Sequence, residues 1–123
     1  MKLLEAIAEF DARQYNTVDH DQKVKWLEQV DYRIFGQIIS THENPAITEF
    51  AGHDGDNVDL LAPEPYSAMY IWWLESQVHL MNKEYNEYNN AILLYNKEYE
   101  DYARWYTRNH LPLREHNHFR FGG

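Results

Sequence analysis

The chain has 123 residues, 44% of them apolar and 15% aromatic, which bounds it to one domain with a modest core and excludes wholesale disorder. It has no cysteine, so a disulfide framework, a thiolate metal site and a catalytic cysteine are all excluded. A net charge of -9 repels a nucleic-acid backbone, which sets the chain against sequence-specific nucleic-acid binding.

Leu3, Leu4, Ile7 and Ala8 recur at helical spacing and predict a first helix over residues 2–13. Acidic residues fall within the first ten positions, and no unbroken apolar stretch of a signal peptide follows Met1. The longest apolar runs, such as 68–74, fall far short of the roughly twenty residues that span a bilayer, so the expectation is a soluble chain without a membrane partner.

Asp19, followed three residues later by Gln22, has the pattern of a capping box at a helix start. A second helix is expected from Asp21 to Ser40, with Val24, Leu27, Ile34 and Ile38 on one face and Trp26 and Val30 beside it. Asp31 interrupts that face. A buried carboxylate is costly unless paired, so Asp31 must meet an arginine or a backbone donor, or else lie at the edge of the buried stripe.

Residues 42–64 carry Pro45, Gly52, Gly55 and Pro63 among Asp and Asn, which excludes regular helix. The expectation is a loop, or a short β-hairpin pairing residues 47–50 with 58–61 around Asp54-Gly55-Asp56-Asn57. A loop of about twenty residues is uncommon unless it has a task, so Phe50, Asp54, Asp56 and Asp59 become contact candidates.

Pro63-Glu64-Pro65-Tyr66 gives an extended lead-in to a long C-terminal helix that is expected to persist to Asn109, before Pro112. Its seam, in alternating steps of three and four, is Ile71, Leu74, Val78, Met81, Tyr85, Tyr88, Ile92, Tyr95, Tyr99, Tyr102 and Tyr106. One straight helix over that span would reach about 54 Å at roughly 1.5 Å per residue. Asn82, Asn86, Asn89, Asn90 and Asn96 are weak helix formers that would mark a break near residues 82–90, whereas the seam keeps its phase through them. The part from Ile71 to Met81 reads as core. Tyr85, Tyr88, Tyr95, Tyr99, Tyr102 and Tyr106 read as an interface, because a tyrosine buries its ring while its hydroxyl keeps a polar partner.

Charge is segregated. No Lys or Arg lies between Arg33 and Lys83, while Glu43, Glu49, Asp54, Asp56, Asp59, Glu64 and Glu75 do. The end of the chain carries Arg104, Arg108, Arg114 and Arg120, so an acidic middle and a basic end can pair head to tail between copies. Residues 1–112 form the expected helical domain and 113–123 a flexible arm, in which Phe119 and Phe121 alternate with Arg120 as a docking strand would.

No motif for chemistry closes. His42-Glu43 begins like a zinc helix, but Ala46 stands where the second histidine is required, and the acidic loop lacks the glycine and glutamate positions of a calcium hand. His116 and His118 are a weak pair, and Ser40, Ser67 and Ser76 have no evident base. The expectation is no enzyme, no catalytic or metal residue and no cofactor.

The residues Trp26-Leu27, Val30-Asp31, Ile34, Ile38-Ile39, Thr41-His42-Glu43, Leu60-Leu61, Pro63, Pro65-Tyr66, Met69-Tyr70, Trp73-Leu74, Tyr88-Asn89-Asn90, Tyr102, Tyr106, His110 and Pro112 together resemble a known family. It is that of the head-to-tail connector proteins, also called head-completion or neck adaptor proteins, of long-tailed phages and prophages of Gram-positive bacteria. The resemblance covers nearly the whole chain and rests on packing residues.

It implies a mainly helical subunit without catalytic residues, placed in a closed ring of about twelve copies beneath the portal. The implied partners are other copies, the portal protein and the next neck or tail protein, with assembly in the host cytoplasm and final residence in the virion neck. Carried onto this chain, residues 47–61 and 113–121 become the contact elements, and the acidic residues of 43–64 would suit a lumen through which DNA slides. A coiled-coil dimer or tetramer built on the tyrosine seam is the competing expectation, and a histidine-based metalloenzyme the third.

Overall fold

The computed structural model describes residues 1–55 and 57–113. Its elements are α1 (Leu3–Arg13), α2 (His20–Ile34), a π-helical turn (Phe35–Ile39), α3 (Ala68–Met81) and α4 (Tyr85–Asn109), a mainly helical bundle as the sequence patterns predict. No described helix is long and apolar enough to cross a membrane.

In α1 the core face is Leu3, Ala6, Ile7 and Phe10. Leu4 and Ala8, assigned to that face by spacing, turn to solvent. The Asp19 carboxylate caps α2 as expected, accepting the Gln22 N–H at 2.9 Å. The second helix stops being an α-helix at Ile34. From there Ser40 N–H reaches back five residues to Phe35 O at 2.9 Å, and the widened turn lets the adjacent Ile38 and Ile39 both enter the core.

The expected single long helix is two. After Met81 the chain turns at Asn82–Glu84, and α4 runs back antiparallel to α3, bringing Trp73 against Tyr95 and Tyr66 against Tyr102. The stop has the hydrogen bonds of a Schellman cap: Lys83 N–H to Leu80 O at 3.1 Å and Glu84 N–H to His79 O at 2.8 Å. Lys83 takes the left-handed position, at φ 60°, that glycine normally holds.

The hairpin alternative for residues 47–61 is not what forms. The segment after the turn pairs instead with the start of the chain, through Leu3 N–H to Val58 O at 2.9 Å and Leu60 N–H to Met1 O at 3.0 Å. Leu60 and Ala62 then enter the core, which gives this pairing the apolar burial that a free-standing two-stranded ribbon lacks.

The tyrosine seam is filled from within the chain. Tyr95 is 1% exposed and Tyr99 9%, and Tyr102 and Tyr106 are likewise buried, so these four are core residues and not free surface. For Tyr95 and Tyr99 the polar partner inferred from their chemistry is present, on α2 and the π-turn, whereas the Tyr106 hydroxyl is buried without one among the described residues. Arg33 Nη1 donates to the Tyr95 hydroxyl at 3.3 Å, and the Tyr99 hydroxyl donates to Gln37 Oε1 at 2.6 Å. The Arg33 guanidinium also lies 4.9 Å from the Tyr99 ring centroid. Burial pushes the Tyr99 hydroxyl up to about 12, with Tyr95 adding to the rise and Arg33 offsetting part of it.

Candidate functional site

The side chain that the sequence marks as anomalous, Asp31, is fully enclosed and sits at the centre of a polar network. The Asp19 cap fixes the start of α2, and three turns later Asp31 faces inward between Val30 and Ile34. Its Oδ1 accepts the Tyr70 hydroxyl of α3 at 2.5 Å. Its Oδ2 accepts the Leu61 N–H at 3.2 Å and lies 2.8 Å from His53 Nε2. Of the alternatives that the sequence left open, a backbone donor is the one present. The tyrosine and the histidine come from 39 and 22 residues away and have no local signal.

Three hydrogen bonds to one carboxylate offset the cost of its burial. The Tyr70 hydroxyl in turn accepts the Ala62 N–H at 2.7 Å. Burial pushes the Tyr70 phenol well above its ordinary range, and the neighbouring Asp31 charge and hydrogen bond add to it, so the phenol stays protonated as a donor.

The network fastens the loop between the π-turn and α3 onto α2. His53 is held twice, by its ring on Asp31 and by its backbone N–H on Glu28 Oε2 at 2.8 Å. Its Nδ1 lies 3.9 Å from the same Glu28 oxygen and has no hydrogen bond. Phe50 stacks edge-on against both Tyr32, at 4.9 Å, and His53, at 5.4 Å. Between them Gly52 sits at φ 107°, a backbone conformation that strains any other residue, and a Cβ there would fall 2.9 Å from Glu28 Oε2 and push that carboxylate aside.

Carboxylate, imidazole and phenol are the parts of a catalytic set, but their side chains are enclosed and bonded to one another, with only His53 Nδ1 left without a hydrogen bond among the described residues. Their work is to hold a loop. The loop is anchored at Phe50–His53 and again at Val58–Ala62, and its tip stands outward, with Glu49, Asp54 and Asn57 exposed. No group of three or more His, Asp or Glu that could hold a metal forms among the described residues.

The residues selected from sequence separate into three groups. Tyr95, Tyr99, Tyr102 and Tyr106 lie inside the bundle. Tyr85 is 57% exposed, Asp54 and Asp59 are exposed, and Tyr88 and Phe50 are half-buried; Asp59 faces Lys2 at 3.4 Å. Asp56, Phe119, Arg120 and Phe121 lie outside the described residues.

Sequence reasoning passed over Leu93, which is 67% exposed, its neighbour Leu94, and Leu80 at the hairpin tip, and it read Met81, which is 59% exposed, as core. Leu93-Leu94 falls between the seam positions 92 and 95, and that out-of-phase apolar pair was the available signal. Compared with protein-family profiles, with curated proteins and with solved structures, the chain matches none.

Proposed function

We propose that this chain is a structural subunit of a phage neck, which assembles with copies of itself into a ring joining the portal of the head to the tail. The observation that carries the reading is the anchored loop. A buried network of Asp31, His53 and Tyr70 fixes an acidic, outward-facing segment on a helical scaffold, which is the construction of a preformed contact element and not of a substrate pocket.

The exposed Met81 and Tyr85 at the α3–α4 tip, with Leu93 further along α4, add apolar surface of the kind that marks subunit contacts. Trp26, Leu27, Val30, Ile34 and Leu74, which are among the residues that carry the resemblance, are core residues of this bundle. Dimerisation through the tyrosine seam is disfavoured, because Tyr95 and Tyr99 are already enclosed by their own chain.

Native mass spectrometry of the purified protein, alone and with the portal protein of its own phage or prophage, tests the proposal. The expected result is a closed ring, or binding to the portal in matching number. A stable dimer or monomer indifferent to portal would overturn it.

A further inference from the structure

The last turns of α4 carry a groove lined, among the described residues, by Ala103, Arg104, Thr107 and Arg108. Arg104 is engaged by Asp101 at 2.5 Å. Arg108 is exposed and has no ion pair or hydrogen bond with any described residue. The groove thus has an apolar floor and, among the described residues, one unpaired guanidinium on its rim.

The complementary surface is the acidic loop. Glu49 and Asp54 are exposed, and neither has an ion pair with any described residue. They flank Phe50 and His53, which are packed on α2, so the carboxylates are presented from a fixed base. Within one chain the two surfaces are not paired: no ion pair joins Glu49 or Asp54 to Arg104 or Arg108.

We infer that the Arg104–Arg108 groove of one copy receives the Glu49–Asp54 loop of the next copy, in a head-to-tail contact between identical chains. This rests on the ring reading above and specifies which two surfaces meet. A contact between two different patches of the same protein is heterologous and propagates, closing into a ring when the rotation per subunit allows. Single exposed ion pairs contribute little. Here the loop is ordered in advance, which lowers the cost of docking, and the charge pattern sets which surface meets which. The carboxylates of the loop then lie in the subunit contact and not on a DNA-facing lumen.

The test is a charge-swap experiment read by native mass spectrometry and sedimentation velocity, with the portal protein present and absent. Reversing the groove (Arg104→Glu with Arg108→Glu) or the loop (Glu49→Lys with Asp54→Lys) should each weaken assembly by about tenfold or more. Mixing the two reversed proteins should restore assembly at a one-to-one ratio, since each groove then meets a loop of opposite charge. A chain carrying all four changes should assemble alone. Restoration by mixing also shows that the variants are folded.

Reversed variants that assemble as well as the wild type would overturn the inference while leaving the neck reading in place. So would loss of assembly that neither mixing nor the four-fold variant restores. A wild-type protein that neither self-associates nor binds portal would overturn both.

Discussion

The hydroxyl of Tyr70 lies 2.5 Å from Oδ1 of Asp31, and both side chains are fully enclosed. Removing the hydroxyl leaves a carboxylate oxygen and the Ala62 N–H without their partner. Tyr70→Phe should therefore cost about 1–3 kcal/mol in stability. Asp31→Ala, which strands His53, Tyr70 and the Leu61 N–H together, should cost about 3–5 kcal/mol. Urea unfolding midpoints measure both, and a Tyr70→Phe protein as stable as wild type would show that the network carries no weight.

Gly52 and Gly36 make a paired control. A methyl group at Gly52 meets Glu28 Oε2 at 2.9 Å on a backbone at φ 107°, whereas one at Gly36 meets nothing within 4 Å. Gly52→Ala is expected to lower stability by more than about 1 kcal/mol, and Gly36→Ala to leave it unchanged or raise it by up to about 1 kcal/mol. Thermal melts of the two proteins decide it, since equal effects would mean that the loop does not lie against α2 as described.

Lys83 occupies a position that suits glycine. At φ 60° its side chain strains the cap that ends α3, so Lys83→Gly should stabilise the fold by about 0.5–1 kcal/mol. A destabilised Lys83→Gly variant would argue for an unbroken helix through this point.

Burial pushes the Glu75 carboxyl above its ordinary 4.5, with Arg13 and His79 offsetting part of the rise. The folded chain holds this proton to higher pH than the unfolded chain does. Its contribution to stability is therefore present at low pH and is lost as pH rises from 4.5 through the folded value. Glu75→Gln has no proton to lose, so melting curves should show the variant gaining on the wild type across that window. Parallel profiles for the two proteins would count against the assignment.

How far the sequence could be read follows from where each signal resides. The start of α2 was legible because Asp19 and Gln22 are three residues apart and the cap is local. The end of α3 was half legible: Asn82 stood among the weak helix formers that marked a break near residues 82–90, but Lys83 stands where glycine would have announced the stop, and the seam resumes in phase on the returning helix. Periodicity identified Tyr95 and Tyr99 as a buried face, but it is silent on whose surface covers them. Asp31 was marked as needing a partner. That His53 supplies it was hidden, since 22 residues of chain separate the two and only the fold brings them together.

The Asp31 network has a kinetic consequence. Its donors lie 22, 30 and 39 residues away along the chain, so the carboxylate is satisfied only after the loop has closed and α3 has docked. Bonds made after the rate-limiting step do not hasten folding; they lengthen the life of the folded molecule. Tyr70→Phe is thus expected to speed unfolding while leaving refolding near the wild-type rate, and a stopped-flow chevron whose refolding arm shifted instead would place the network in the nucleus. A chain built this way is slow to let go once formed, so the loop that the network fastens keeps its place for the life of the fold.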